Sequence, residues 1–256
     1  MKATSVLLGA IALACHLGVA LAAAPDLARE QRFADQVVPQ LFVGDAAWLA
    51  TPREPHVLAL YTAPAKPTHD AVIVVHGLGV HPDWNLIGVL RSDLADLGFA
   101  TLSVQMPVLA ADAPRDDYAS LFPYAFERLD AALQWLHARG YTHVGVVSHS
   151  LGAAMVNAWL AYAKPAIDAW VPIGLTVDFA TPPRLPVADV VAERDFPEAL
   201  AFAKTRASKL RQDGCSSSIA FAGTDHYFGN AAHGLSLRIA PFLARALDGA
   251  CRRGRG

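Results

Sequence analysis

The chain has 256 residues, 17% of them charged, and a formal net charge of −2, which suits one globular domain with a sizeable core and leaves two cramped. So weak a charge gives no electrostatic footing for a nucleic-acid partner, and Arg252, Arg253 and Arg255 form only a short solvated tail. No internal repeat, low-complexity linker or shift in composition marks a second domain.

The opening stretch MKATSVLLGAIALACHLGVALAAAPD has a lone basic residue, Lys2, an apolar run to Leu21, and then small residues. Ala20-Leu21-Ala22 matches a signal-peptidase site, so residues 1–22 read as a secretory signal cut after Ala22. The apolar run is marginal for spanning a bilayer and ends in no basic stop, so the mature chain is expected to be exported, periplasmic or secreted, without stable membrane insertion. Cleavage removes Cys15 and leaves Cys215 and Cys251, an even pair that an oxidising compartment would join; the alternative is two buried thiols. No CxxC or Cys/His cluster suggests a metal site, and no cofactor is expected.

Residues 23–45 read as an N-terminal lead-in, irregular or briefly helical between Pro25 and Gln40, and residues 46–250 as the domain proper. Short strands are predicted at Ala46–Leu49 and Val57–Tyr61, as a hairpin at a sheet edge. Ala71–Val75 is an unbroken, mostly β-branched run, the pattern of a strand covered on both faces. Trp84–Leu97 carries Leu86, Ile87, Leu90, Leu94 and Leu97 at helical spacing, closed by Gly98, with Asp83 as its candidate cap. A strand at Ala100–Val104, a long amphipathic helix at Asp116–Arg139, a strand at His143–Val147 and a helix from Leu151 to about Ala163 follow. Strands at Trp170–Leu175, Val187–Ala192 and Ser218–Ala222 come next, with helices at Pro197–Arg211 and Leu235–Leu247. An antiparallel start and then βαβα alternation imply an α/β fold, a mostly parallel sheet of about eight strands with helices on both faces.

Four segments carry the chemistry. In VGVVSHSLGAA a strand runs into a helix through Ser148-His149-Ser150-Leu151-Gly152, a variant of the G-x-S-x-G nucleophile elbow in which Ser148 stands at the first glycine position. The residues two before and two after the serine must be small because strand and helix backbones converge there; serine is the next small step up from glycine. His149 fills the variable position, expected chiefly to pack, with pocket lining as the alternative. The turn His76-Gly77-Leu78-Gly79 ends the Ala71–Val75 strand and can aim backbone amides at a developing oxyanion; Leu78 and Leu151 are the candidate donors. Asp195 leaves the Pro186–Ala192 strand and His226 follows the strand ending near Ala222, so Ser150, Asp195 and His226 occur in the Ser…Asp…His order. Asp178, after the preceding strand, is the rival acid, whereas Asp189 and Asp225 read as structural. His81 and Trp84 are candidates for one wall of a substrate site, and His76 for bracing its loop.

VIVVHGLG, VGVVSHSLGAA, PVADVVAERD and FAGTDHYF together resemble the oxyanion loop, nucleophile elbow, acid strand and histidine loop of the α/β-hydrolase superfamily, over about Trp48 to Leu247. The wording HGLGVHPDW…LRSDLADLGFATLSVQMP also resembles a group of small exported members with undefined substrates. The resemblance implies a serine hydrolase, carboxylesterase-like, acting on a small-molecule or lipid-like ester through an acyl-enzyme on Ser150. An acyltransferase on the same residues, or a catalytically silent binding module, are the alternatives. Only Thr176–Leu185 separates the strands where many relatives insert a lid, so no cap domain and a rather open site are expected.

Overall fold

A computed structural model describes residues 24–212 and 214–253. The proposed signal at 1–22 lies outside them. The first element is α1 (Leu27–Val37), where the sequence reads as an irregular or briefly helical lead-in; Asp26 caps it by accepting the Arg29 amide hydrogen at 2.9 Å. Its Ala34 and Val37 pack on Leu58 and Leu60, tying the segment to the sheet.

The strands are β1 (Asp45–Leu49), β2 (Val57–Thr62), β3 (Asp70–Val75), β4 (Ala100–Val104), β5 (His143–His149), β6 (Ala169–Ile173), β7 (Ala188–Arg194) and β8 (Ser217–Asp225). They form one eight-stranded sheet in the order β1-β2-β4-β3-β5-β6-β7-β8, in which β1/β2 and β2/β4 pair antiparallel and the rest parallel. The helices are α2 (Leu86–Asp96), α3 (Phe122–His137), α4 (Leu151–Tyr162), α5 (Pro197–Ala207), α6 (Ala232–Leu247) and α7 (Ala250–Arg253). This is the expected α/β architecture.

Side chains alternate across a strand, and β3 shows how that splits the core in two. Ala71, Ile73 and Val75 face a layer with Leu129, Leu133 and Leu136 of α3 and Met155, Val156 and Trp159 of α4. Val72 and Val74 face the opposite layer, with Leu86, Ile87, Leu90 and Leu94 of α2 and Leu235, Ile239 and Leu243 of α6. With both faces covered, the central strands carry apolar residues on each, which is why they read as runs.

Three local expectations shift. The Asp116–Arg139 pattern divides into a 3₁₀ segment (Arg115–Leu121) and α3, because Pro123 lacks the amide hydrogen a continuous helix needs and suits only a first turn. The helix expected from Trp84 begins at Leu86, because Asn85 has φ 40°. Asp83 therefore does not cap it; its carboxylate accepts from Arg91 Nε at 2.7 Å and Nη2 at 2.6 Å. Finally, β8 extends to Asp225, so His226 sits at the strand's exit. Cys215, just before β8, is joined by a disulfide to Cys251 in α7. Among the described residues, no helix is long and apolar enough to cross a membrane.

Candidate active site

The carboxyl ends of β3, β5, β7 and β8 all open on one edge of the sheet, where a parallel sheet forms its crevice. Each carries one segment of the site. At the end of β5 the chain turns into α4 through Ser150, whose φ of 55° and ψ of −123° are a strained pair for a residue with a side chain. The turn needs its small neighbour: a Cβ on Gly152 would lie 2.1 Å from the His76 carbonyl oxygen and 2.9 Å from Val75 Cγ1. Ser148 is fully buried, and its Oγ accepts the Trp170 indole N–H at 2.9 Å. The hydroxyl that departs from the glycine pattern thus has a partner of its own in β6.

Ser150, His226 and Asp195 are hydrogen-bonded in a line. Ser150 Oγ lies 2.9 Å from His226 Nε2, and His226 Nδ1 lies 2.6 Å from Asp195 Oδ1. A carboxylate only accepts, so Nδ1 carries the ring proton and Nε2 offers its lone pair to the serine hydroxyl. Asp195 also accepts from the Phe196 amide at 2.8 Å and the Ala192 amide at 3.1 Å. Burial pushes the Asp195 pKa up, but the hydrogen bond from His226 and those two amides outweigh it and hold the carboxyl below the usual range.

The imidazole of His226 is enclosed on several sides. Phe196 stacks on it with ring centroids 4.0 Å apart and planes 24° from parallel. His149 Nε2 donates to the His226 carbonyl at 2.8 Å, with the two rings 4.8 Å apart. Burial first, then the neighbouring His226, push the His149 pKa down to about 4, so its ring is neutral at physiological pH. A Cβ on Gly174, φ +61°, would lie 2.9 Å from His226 Cε1 and Nδ1.

The loop after β3 is braced from within. His76 is wholly buried; its Nδ1 donates to the Gly77 carbonyl at 2.8 Å, and its Nε2 accepts from the Met106 amide at 2.8 Å. Burial drives its pKa down to about 3, so it too is neutral. The Gly77 carbonyl and the Leu78 N–H belong to one planar peptide, so fixing the first aims the second. Neither the Leu78 amide nor that of Leu151 donates to another protein group among the described residues.

The remaining candidates fall elsewhere. Asp178 is held by Lys209 Nζ at 2.5 Å and by its own turn at Phe179, not by a histidine. Asp189 pairs with buried Arg206, and Asp225 accepts the Tyr227 amide in a turn. His149, expected chiefly to pack with pocket lining as the alternative, is 4% exposed and packs on the His226 ring while its Nε2 donates to the His226 carbonyl. His81 packs against Phe33 of α1 at 5.4 Å, and Trp84 forms the turn entering α2. No hydrogen bond or ring contact joins either of them to Ser150, Asp195 or His226 among the described residues. Phe196 and Gly174 join the site without a motif to mark them; the first follows the acid directly, and the second follows β6 at a backbone angle suited to glycine. A cavity of about 940 Å³ lies between α4 and residues 181–185, lined by Asn157, Trp170 and Arg184 among others, and none of the three aligned residues borders it. Among the described residues, no group of three His, Cys, Asp or Glu side chains is placed to hold a metal ion.

Residues 19–124, from before α1 into the start of α3, match a family described as a protein of unknown function, DUF3530. No curated protein matches the sequence. Solved structures share the fold at low identity. A dienelactone hydrolase from Anabaena variabilis is 20% identical with a TM-score of 0.66, the match covering 79% of this chain and 97% of that one. Est1E from Butyrivibrio proteoclasticus is 13% identical, TM-score 0.63, covering 79% and 99%. A Xanthomonas campestris protein described as a serine hydrolase without a lid is 18% identical, TM-score 0.63, covering 80% and 96%.

Proposed function

The chain has the α/β-hydrolase fold, and from that premise we propose that it is an exported serine hydrolase that cleaves a carboxylic ester through an acyl-enzyme on Ser150. The observation carrying this reading is the line Ser150 Oγ–His226–Asp195, with spacings of 2.9 Å and 2.6 Å, at a strained strand-to-helix turn. Esterases and hydrolases among the proteins of similar fold support the same reaction class.

In this mechanism His226 Nε2 takes the Ser150 proton as Oγ attacks the ester carbonyl. Asp195 keeps the imidazole in the required tautomer and stabilises the imidazolium that forms. The unpaired amides of Leu78 and Leu151 receive the tetrahedral oxyanion; one such donor is worth roughly 3 kcal/mol of barrier. Collapse expels the alcohol, protonated by His226, and water then releases the acyl group by the same steps.

Exposed Leu78 and Tyr227 adjoin the proposed oxyanion donor and base in sequence, which suits a substrate with an apolar part. Residues 174–187 join β6 to β7 without a helix, in keeping with an open site and no cap domain. The Cys215–Cys251 bond supports export to an oxidising compartment.

The test is labelling of folded protein with a fluorophosphonate, located by mass spectrometry, beside a panel of ester, thioester and amide substrates with and without acceptor alcohols. Label on Ser150 and loss of both label and turnover in Ser150→Ala are expected. A folded wild type that neither labels nor turns over any substrate would refute the reading.

A further inference from the structure

The loop Gly77-Leu78-Gly79 has a glycine on each side of the residue whose amide the mechanism uses. Glycine leaves the backbone free to turn, so such a loop holds one geometry only if something outside it does the holding. His76 supplies one restraint, at the Gly77 carbonyl. The second comes from α1, about fifty residues earlier in the chain.

Arg29 Nη2 donates to the Gly79 carbonyl at 2.8 Å, and Nη1 donates to the Leu109 carbonyl at 2.7 Å. One planar guanidinium thus bridges the loops that follow β3 and β4. Gly79 has φ +68°, and a Cβ placed on it would lie 3.3 Å from Nη2, so the fork sits directly against the turn. The Arg29 guanidinium also lies 5.4 Å from the Phe33 ring, which in turn packs on His81 in the same loop. The helix supplying Arg29 is itself fixed. The Asp26 amide donates to the Val108 carbonyl at 2.7 Å, Glu30 accepts the Val108 amide at 3.1 Å, and Glu30 pairs with buried Arg128 at 2.9 Å.

We propose that α1 is a working part of the site and that Arg29 is a positioning residue, clamping Gly79 so that the Leu78 amide stays aimed at the oxyanion. The inference rests on the hydrolase reading above. Arg29 touches no reacting atom; it acts through the loop. Losing the clamp lets the donor wander rather than removing it, so the penalty falls below the roughly 100- to 1000-fold cost of deleting an oxyanion donor outright.

The experiment compares wild type, Arg29→Ala and Arg29→Lys in steady-state ester hydrolysis, melting, and inhibition by a trifluoromethyl ketone, which presents a tetrahedral oxyanion. A lysine can reach one of the two carbonyls but cannot fork to both. Expected for Arg29→Ala are a kcat at least tenfold lower, a KM within twofold of wild type, and an inhibition constant raised by the same factor as kcat falls, with Arg29→Lys between the two. A purely structural role would lower melting without this kcat-against-KM split. Should Arg29→Ala melt below the assay temperature, Arg29→Gln takes its place with the same outcomes. A folded variant with kcat within twofold of an active wild type overturns the clamp and leaves the hydrolase reading standing. An inactive, unlabelled wild type sinks both.

Discussion

Replacing Ser148 with glycine would restore the usual elbow pattern, and a reader of the pattern alone would expect a neutral or stabilising change. The structure says otherwise. Ser148 lies in a central strand, in register with Val75 on one side and Pro172 on the other, and its Oγ is the acceptor for the buried Trp170 indole N–H. Glycine removes that acceptor and leaves the N–H unpaired in a dry core, at a cost of about 1–3 kcal/mol. Glycine inside a strand adds about 0.5–1 kcal/mol of backbone entropy. The total of about 1.5–4 kcal/mol corresponds to a melting temperature lower by roughly 3–16 °C for a chain of this size. Ser148→Ala should show most of the same loss. In a Trp170→Phe background the donor is gone, so Ser148→Ala should then cost less than about 0.5 kcal/mol. Urea unfolding of the four-member cycle gives the coupling directly, and turnover well below the transition should be nearly unchanged. Ser148→Gly melting at or above wild type, or a coupling near zero, would refute the account of this position.

Other changes probe other parts of the molecule. Cys215→Ser opens a bond spanning 36 residues, which the chain-entropy treatment values at about 4 kcal/mol; its melting point should fall in non-reducing buffer and coincide with that of wild type in reductant, and equal melting in both buffers would contradict the bond. Gly174→Ala at φ +61° drives a Cβ into His226, so kcat should drop by about 100-fold, whereas activity within threefold of wild type would show that the imidazole has room to move. For Glu30, burial outweighs the pull of Arg128, whose Nη2 it shares with Glu54, and the pKa rises to about 6 from 4.5. Between those values the folded state holds a proton that the unfolded state has released, so this contribution to stability falls as pH rises. The unfolding free energy of Glu30→Gln should therefore shift in its favour, relative to wild type, by about 2 kcal/mol from pH 4.5 to pH 7.5; a pH-independent difference would show that Glu30 titrates normally.

What the sequence discloses follows from the range of the interactions involved. β3 is legible because Ala71–Val75 is buried on both faces, and a buried strand can hardly avoid a β-branched run. The exits of β5, β7 and β8 are legible because small, acidic or imidazole side chains follow directly on such runs. The packing of His149 is legible too, but its contact with His226 is not, since the elbow pattern leaves the position before the serine open and His226 lies 77 residues further along the chain. Nor is the part played by α1. Its helical periodicity is that of any surface helix, and its importance rests on Arg29 reaching 50 and 80 residues along the chain, contacts that leave no periodic trace. Pro123 does carry a local signal, and it is where the amphipathic pattern from Asp116 breaks.

The restraints on the site are unequal. His226 is held at Nδ1 by Asp195, on one face by Phe196 and at its carbonyl by His149, Gly174 leaves it the room that a Cβ would take beside Cε1, and its Nε2 meets Ser150. In the proposed mechanism such an imidazole needs little rearrangement when the serine proton moves, and preorganisation of that kind lowers the barrier for every substrate alike. On that reading, discrimination between substrates is left to groups that are less confined. The segment after β4 is joined to the segment after β6 by Arg115 and Thr176, 2.5 Å apart. β3 and β5 lie between those two strands, so the tie links segments that leave strands three spacings apart, roughly 14 Å. Arg115 is exposed while Thr176 is buried, which makes the tie a contact that solvent can reach from one side only. On the proposed hydrolase reading, the reacting groups thus stand at strand exits, while among the described residues the segments after β4 and β6 are linked by this one hydrogen bond.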